Sequence, residues 1–206
     1  MQLTIRFAGY GGYGIVTASR TLGLSFTAQG YHVLQTESHG AAARGGACTA
    51  NLTVSSSPIY ELEFSKPDTL IVLSTSGFQK CYTICSEISS NTLLIESNLL
   101  DDPTVQKFIN RIKKEEKIIV YQLDFHQIVE KLGHVRYFGI AALGALSTID
   151  NRVNFPALEN TIKTDAKLKR FSKQNLKALN LGAKLVSILY GKTAWSMKKE
   201  RRGLGS

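Results

Sequence analysis

Two glycine-rich stretches near the N-terminus hold the residues with the clearest chemical potential. Gly9, Gly11, Gly12 and Gly14 place four glycines in six positions, after a β-like run over residues 2–8 and before an apolar-periodic run from residue 15 to about 29. Glycine there lets the chain turn with positive φ, and missing β-carbons let another molecule approach bare N–H groups at a helix N-terminus, a place for an anion. Gly9, Gly11 and Gly14 also fit the G-x-G-x-x-G spacing of a dinucleotide-binding βαβ unit. Glu37, just past the β-like run at residues 31–35, stands roughly where such a unit binds a ribose hydroxyl.

The second stretch runs Ser38-His39-Gly40-Ala41-Ala42-Ala43-Arg44-Gly45-Gly46-Ala47 and returns at once to a β-like run. Arg44 has a planar fork that suits a carboxylate or phosphate, and Gly45 and Gly46 remove bulk around it. An internal ion pair, with Glu37 the nearest acid by sequence, is the equal alternative. His39 is the best general-base candidate, while His32, His126 and His134 have no partner pattern and read as ordinary surface or core histidines.

The elements that must hold these stretches follow from hydrophobic periodicity. Residues 48–55 alternate as a strand and end at Ser56-Ser57-Pro58, and residues 59–64 are predicted to return as a hairpin partner. Thr69-Leu70-Ile71-Val72-Leu73 is an apolar, β-branched run expected to be buried on both faces. Ser74 to Gly77 offers an N-cap for a helix over about 78–87, residues 91–96 repeat the strand pattern, and Asp101-Asp102-Pro103 opens another helix. Residues 117–123 are the last strand. Helices are predicted over 126–132, 135–148 and 155–162. Leu176, Leu179, Ala183, Val186 and Tyr190 mark the apolar face of a helix over 173–190. Alternating strands and helices predict an α/β fold, an open Rossmann-like, mostly parallel sheet with helices on both faces and a helical C-terminal part from about residue 125. Residues 1–190 read as a single domain and 191–206 as a basic, flexible tail. Both glycine stretches leave strand ends, where ligands of such sheets gather.

Composition narrows the function classes. The chain has 206 residues, 25 Lys and Arg against 16 Asp and Glu, and a formal charge of +9. Lys163, Lys167, Lys169, Arg170, Lys173 and Lys177 cluster, but no aromatic-interleaved motif accompanies them, so a solvated helix face is expected and nucleic acid is not. Cys48, Cys81 and Cys85 supply neither a disulfide framework nor the four ligands of an iron–sulfur cluster. Cys81 and Cys85, four apart on a helix, are expected as small core residues. The N-terminus enters a strand with no signal-peptide pattern, and no apolar run is long enough to span a bilayer, so a cytoplasmic protein without membrane attachment is expected. No nucleophile elbow, HExxH pattern, Walker ending or other catalytic or metal set is present.

Taken together, residues 6–15 and residues 35–47 closely resemble the gamma subunit of 2-oxoacid:ferredoxin oxidoreductases. The likeness continues through Pro58-Ile59, Lys66-Pro67-Asp68 and the segment from Phe138 to Leu146. The resemblance implies one component of a multi-subunit complex that oxidatively decarboxylates a 2-oxoacid, passes the acyl group to coenzyme A and reduces ferredoxin. It implies alpha and beta partners, and in some members a ferredoxin-like delta partner, carrying thiamine diphosphate, magnesium and the iron–sulfur clusters. No catalytic residue or metal is then expected on this chain, and the two stretches face a partner subunit or coenzyme A. The Gly-Ala-Ala-Ala-Arg-Gly-Gly-Ala form is more similar to 2-oxoglutarate-type subunits than to pyruvate-type ones, with branched-chain 2-oxoacids and indolepyruvate as alternatives. Tyr13 departs from the family's usual Gln, which removes an amide and adds a ring. The rival readings are a free-standing NAD- or FAD-dependent oxidoreductase using Gly9, Gly11, Gly14 and Glu37, and a basic binding module.

Overall fold

Leu70 and Val72 face one way from their strand while Ile71 and Leu73 face the other, and all four are buried. That period of two, with both faces apolar, marks a strand at the centre of a sheet covered on both sides. The computed structural model, which describes residues 1–39, 46–61, 66–86, 92–114 and 118–191, builds such a sheet from six strands. They are β1 (Gln2–Tyr10), β2 (His32–His39), β3 (Ala47–Ser55), β4 (Thr69–Val72), β5 (Thr92–Glu96) and β6 (Ile119–Leu123), in the order β2-β3-β1-β4-β5-β6. β1, β4, β5 and β6 pair in parallel, and only β3 runs antiparallel, to both β1 and β2.

The antiparallel element expected from the sequence is therefore present, but its partners differ. β3 pairs with β2 across the second glycine stretch, and residues 59–61 form no strand. The physical reason is burial: Val33, Leu34 and Gln35 meet Val54, Thr53 and Leu52 in register, giving β3 an apolar neighbour that the exposed Tyr60 segment cannot match. Residues 62–64 of that expected strand lie outside the described residues.

One face of the sheet is covered by α2 (Thr75–Ser86) and α3 (Pro103–Lys114), the other by α1 (Ile15–Thr27), α5 (Phe138–Ile149) and α8 (Ser172–Tyr190). Three shorter helices, α4 (His126–Leu132), α6 (Phe155–Thr164) and α7 (Ala166–Lys169), complete the second layer. Helix starts follow the local chemistry. Ser74 Oγ accepts the Gly77 N–H at 3.0 Å, Asp102 Oδ1 accepts the Thr104 N–H at 2.8 Å, and Asn154 Oδ1 accepts the Ala157 N–H at 2.9 Å. The Lys-Pro-Asp signature also has a structural task. Asp68 Oδ2 accepts the Thr4 N–H at 2.8 Å where β4 begins alongside β1. Tyr190 shields the outer edge of β6, its hydroxyl accepting the Gln122 N–H at 2.9 Å and donating to the Gln122 carbonyl at 3.2 Å.

Asp165 connects two helices to a third. Its carboxylate caps α7 through the Lys167 and Leu168 N–H groups and takes a two-pronged contact from Arg20 of α1, at 3.1 and 2.8 Å. The guanidinium hydrogen bonds hold the Asp165 carboxyl below its ordinary range. A depressed carboxylate pKa contributes stability that is complete above the unfolded-state value, about 4, and is lost as the pH falls below that value and through the lower folded-state one. Asp165→Ala is expected to lower stability at neutral pH by about 1–3 kcal/mol and to flatten the acid limb of a Tm-against-pH curve below about pH 4. An unchanged acid limb would contradict this.

Candidate functional site

The register between β1 and β3 sets Gly9 opposite Cys48 and Tyr10 opposite Ala47, so both glycine stretches leave the sheet at one place. The Gly11 N–H then donates to the Gly46 carbonyl at 2.9 Å, joining the two into a single rim. Arg44 and Gly45 lie outside the described residues, as does the side chain of His39. Ser38 is exposed at the end of β2, where its carbonyl and hydroxyl accept hydrogen bonds from Lys80 Nζ at 2.9 and 3.0 Å. Lys80 thus links α2 to the foot of the second stretch.

Two of the three fingerprint glycines, Gly9 and Gly14, serve the chain's own packing. A β-carbon on Gly9 would lie 2.5 Å from Ile15 Cδ1, and one on Gly77 would lie 2.4 Å from the Gly9 nitrogen. Gly14, with φ of 74°, precedes α1, and a β-carbon there would lie 2.4 Å from the Arg136 carbonyl oxygen. The Gly139 N–H donates to the Tyr13 carbonyl at 3.0 Å, and a β-carbon on Gly139 would meet the Gly14 oxygen at 2.3 Å. The start of α1 therefore rests against the start of α5, backbone on backbone.

Glu37 is exposed on the edge strand and accepts from Gln35 Nε2 at 2.8 Å. Because β3 stands between β1 and β2, Glu37 is two strand spacings, about 10 Å, from β1. The geometry that lets an acid at the end of a second strand hold a ribose beside the first turn is absent, which removes the main support of the dinucleotide reading.

What remains open to a neighbour is the tip of the rim. Gly11 and Gly12 are exposed, Gly12 with φ of 104° and nothing near its absent β-carbon, and the Tyr10 side chain is 41% exposed. Tyr13 stacks flat on Phe138, ring centroids 4.5 Å apart and planes within 7°, and Tyr10 meets it tilted at 5.8 Å. Burial first, then the charge of Glu96 and the neighbouring Tyr10, push the Tyr13 phenol above its ordinary range, so at neutral pH it is a hydrogen-bond donor and not a base. The Tyr13 ring is thus used in packing.

The two thiols with described side chains, Cys48 and Cys81, are held protonated. Burial raises Cys48, against the pull of Lys80, and pushes Cys81 up to about 11. Cys81 packs among Phe78, Leu70 and Val72, as its helical spacing implied. The side chain of Cys85 lies outside the described residues. No nucleophile with a base beside it occurs among the described residues of the rim. The described residues of the rim can recognise and hold, and none of them forms a bond-breaking set.

Beneath Phe138 the fold gathers residues that the spacing did not single out. Glu96 ends β5, fully buried, and its Oε2 accepts the Phe125 N–H at 2.9 Å. Burial raises its carboxyl above the ordinary range, while the Asn98 and Phe125 N–H groups and His126 pull the other way. His126 packs edge-on against Phe138 at 4.9 Å, with Nδ1 3.4 Å from Glu96 Oε1. It therefore lies beside an acid, at ion-pair distance but without a hydrogen bond to it. An acid directly after the apolar run Leu93-Leu94-Ile95 was the available signal for Glu96; Lys80 left none.

Comparison with known proteins decides the family. The profile of the pyruvate ferredoxin/flavodoxin oxidoreductase family matches residues 4–185, most of the chain. The chain belongs to that family. Among relatives of this oxidoreductase family, the chain is 27% identical over 189 residues to the 2-oxoglutarate synthase subunit KorC of Methanothermobacter marburgensis, covering 90% of this chain and 97% of that one. It is 29% identical over 184 residues to the subunit of the same name from Methanocaldococcus jannaschii, covering 88% and 92%. The keto/oxoacid ferredoxin oxidoreductase gamma subunit of Geobacter sulfurreducens superposes with a TM-score of 0.67 at 21% identity, over 90% of this chain and 96% of that one. The 2-oxoglutarate:ferredoxin oxidoreductase of Magnetococcus marinus superposes with a TM-score of 0.73 at 20% identity, over 92% of this chain but 32% of the other. At these identities the superpositions establish the fold, which is that of the oxidoreductase gamma subunit.

Proposed function

We propose that this chain is the gamma subunit of a 2-oxoglutarate:ferredoxin oxidoreductase, with residues 1–190 as its working unit and the rim of Gly9, Gly11, Gly12, Tyr13, Gly14, Glu37, Ser38, Arg44, Gly45 and Gly46 turned toward a partner subunit or coenzyme A. The observation that carries this reading is its alignment with 2-oxoglutarate synthase subunits over nearly their whole length. The alpha and beta partners, with a ferredoxin-like delta partner where one exists, carry thiamine diphosphate, magnesium and iron–sulfur clusters. The described thiols here, buried and held protonated, do not suit a cluster. The complex converts 2-oxoglutarate and coenzyme A to the acyl-CoA and carbon dioxide, and ferredoxin takes the electrons. This chain contributes assembly and a route for coenzyme A. No described helix is long and apolar enough to cross a membrane, which accords with work in the cytoplasm.

Affinity capture of the chain from its source cells, with mass spectrometry and thiamine and iron assays of the eluate, tests the assignment. Thiamine-binding and iron–sulfur subunits are the expected companions, and capture of the chain alone with a bound nucleotide would overturn it. Within this reading Arg44→Ala weakens assembly or coenzyme A use by about tenfold or more while leaving the fold intact, since a guanidinium that grips an anion contributes about 1.5–3 kcal/mol. A large drop in Tm with undiminished complex activity would assign Arg44 to its own loop instead.

A further inference from the structure

Away from the rim, three side chains that ligate metals meet where β5 and β6 end. Glu96 closes β5, while Asp124 and His126 follow β6, and one donor atom from each lies within 4.8 Å of the others. Their sequence separation hides this; the parallel pairing of Glu96 with Leu123 creates it.

Two carboxylates with donor atoms within 4.8 Å of one another, one of them fully buried, call for a positive charge that the imidazole of His126, 3.4 Å from Glu96, supplies only when protonated. No lysine or arginine among the described residues forms an ion pair with either. His126 Nδ1 is shut off from water, makes no hydrogen bond among the described residues, and points at Glu96 from 3.4 Å. A buried polar atom left in this state needs a partner.

The carboxylates have capacity left for one. Glu96 Oε2 accepts a single N–H, from Phe125, while Oε1 accepts long contacts from Asn98 N and Ser97 Oγ at 3.3 Å each. Asp124 accepts one hydrogen bond on each oxygen, both from Gln127. With two lone pairs per oxygen, Glu96 Oε2 and both oxygens of Asp124 retain a free lone pair.

We propose that Glu96, Asp124 and His126 form a binding site for one divalent cation of the Zn2+ class. One imidazole and two carboxylates suit such an ion, and three protein donors leave a position for water. Bond lengths of about 2.0–2.2 Å require the donors to draw together slightly, which small rotations of the half-buried Asp124 and His126 supply. The bound ion joins the end of β5 to α4 and steadies the His126–Phe138–Tyr13 ring stack beneath the first glycine turn.

The test is equilibrium dialysis of the tag-free, metal-stripped full-length chain against Zn2+, with Tm read in parallel. One equivalent is expected to bind and raise Tm, and His126→Ala and Asp124→Asn are each expected to weaken binding by at least about tenfold. Absence of saturable binding, or equal binding by the folded variants, overturns the proposal. Should either variant fail to fold, Co2+ added to the unaltered chain decides: its paramagnetic effect must fall on the His126 ring signals ahead of those of His32 and His134, and the reverse order overturns the site.

Discussion

Gly182→Ala is expected to lower the Tm by about 4–16 °C, a loss of about 2–4 kcal/mol, although helix propensity alone predicts a gain of about 1 kcal/mol for the same change. The opposing signs come from where Gly182 sits. A β-carbon at Gly182 of α8 would fall 1.9 Å from the Ala141 carbonyl oxygen of α5. One at Gly144 of α5 would fall 1.9 Å from the Leu179 carbonyl oxygen of α8. Each helix thus presses its backbone into a gap left by the other's missing side chain. Neither obstructing atom can rotate away, so the helices must separate. Leu179, Val186 and Leu143, all buried, then lose packing. Thermal unfolding of Gly182→Ala and of Gly144→Ala should show comparable losses; a rise in Tm for either would show that the helices yield.

Tyr10→Ala is expected to weaken assembly with partner subunits at least about thirtyfold, corresponding to about 2 kcal/mol, the level at which a buried interface aromatic counts as a hot spot. Its effect on the isolated chain should be much smaller, about 1 kcal/mol, because 41% of the residue is exposed and its described ring contact is the tilted one with Tyr13. Tyr60→Ala supplies the contrast. Tyr60 is 88% exposed, but it follows β3 at the end of the sheet where Ser55 meets Gln2, away from the rim. Its loss should leave assembly unchanged. Equal effects of the two substitutions in a binding titration would mean that the rim is not the docking face.

Most of the fold was legible because its strands are bounded by strong chemistry. The apolar run at Thr69–Val72 specified a doubly buried strand, and Ser74 and Asp102 announced helix starts that the structure retains. The hairpin was misassigned because a turn signal at Ser56-Ser57-Pro58 says that the chain turns, not which earlier strand receives it. The pairing of β3 with β1 and β2 is decided by long-range register. The glycines were legible as a site but not as packing: Gly14 against Arg136 and Gly9 against Gly77 arise from elements distant in sequence. The same limit hid Glu96 and His126, which become neighbours only when β5 and β6 pair.

The most direct test is an activity measurement on the reconstituted complex, prepared with and without this chain and supplied with 2-oxoglutarate, coenzyme A and oxidised ferredoxin. Gamma-subunit function predicts ferredoxin reduction and acyl-CoA formation in the full complex, with loss of one or both when the chain is omitted and recovery when it is added back. Full turnover without it, together with tight binding of NADH or FAD by the chain alone in a calorimetric titration, would contradict the assignment.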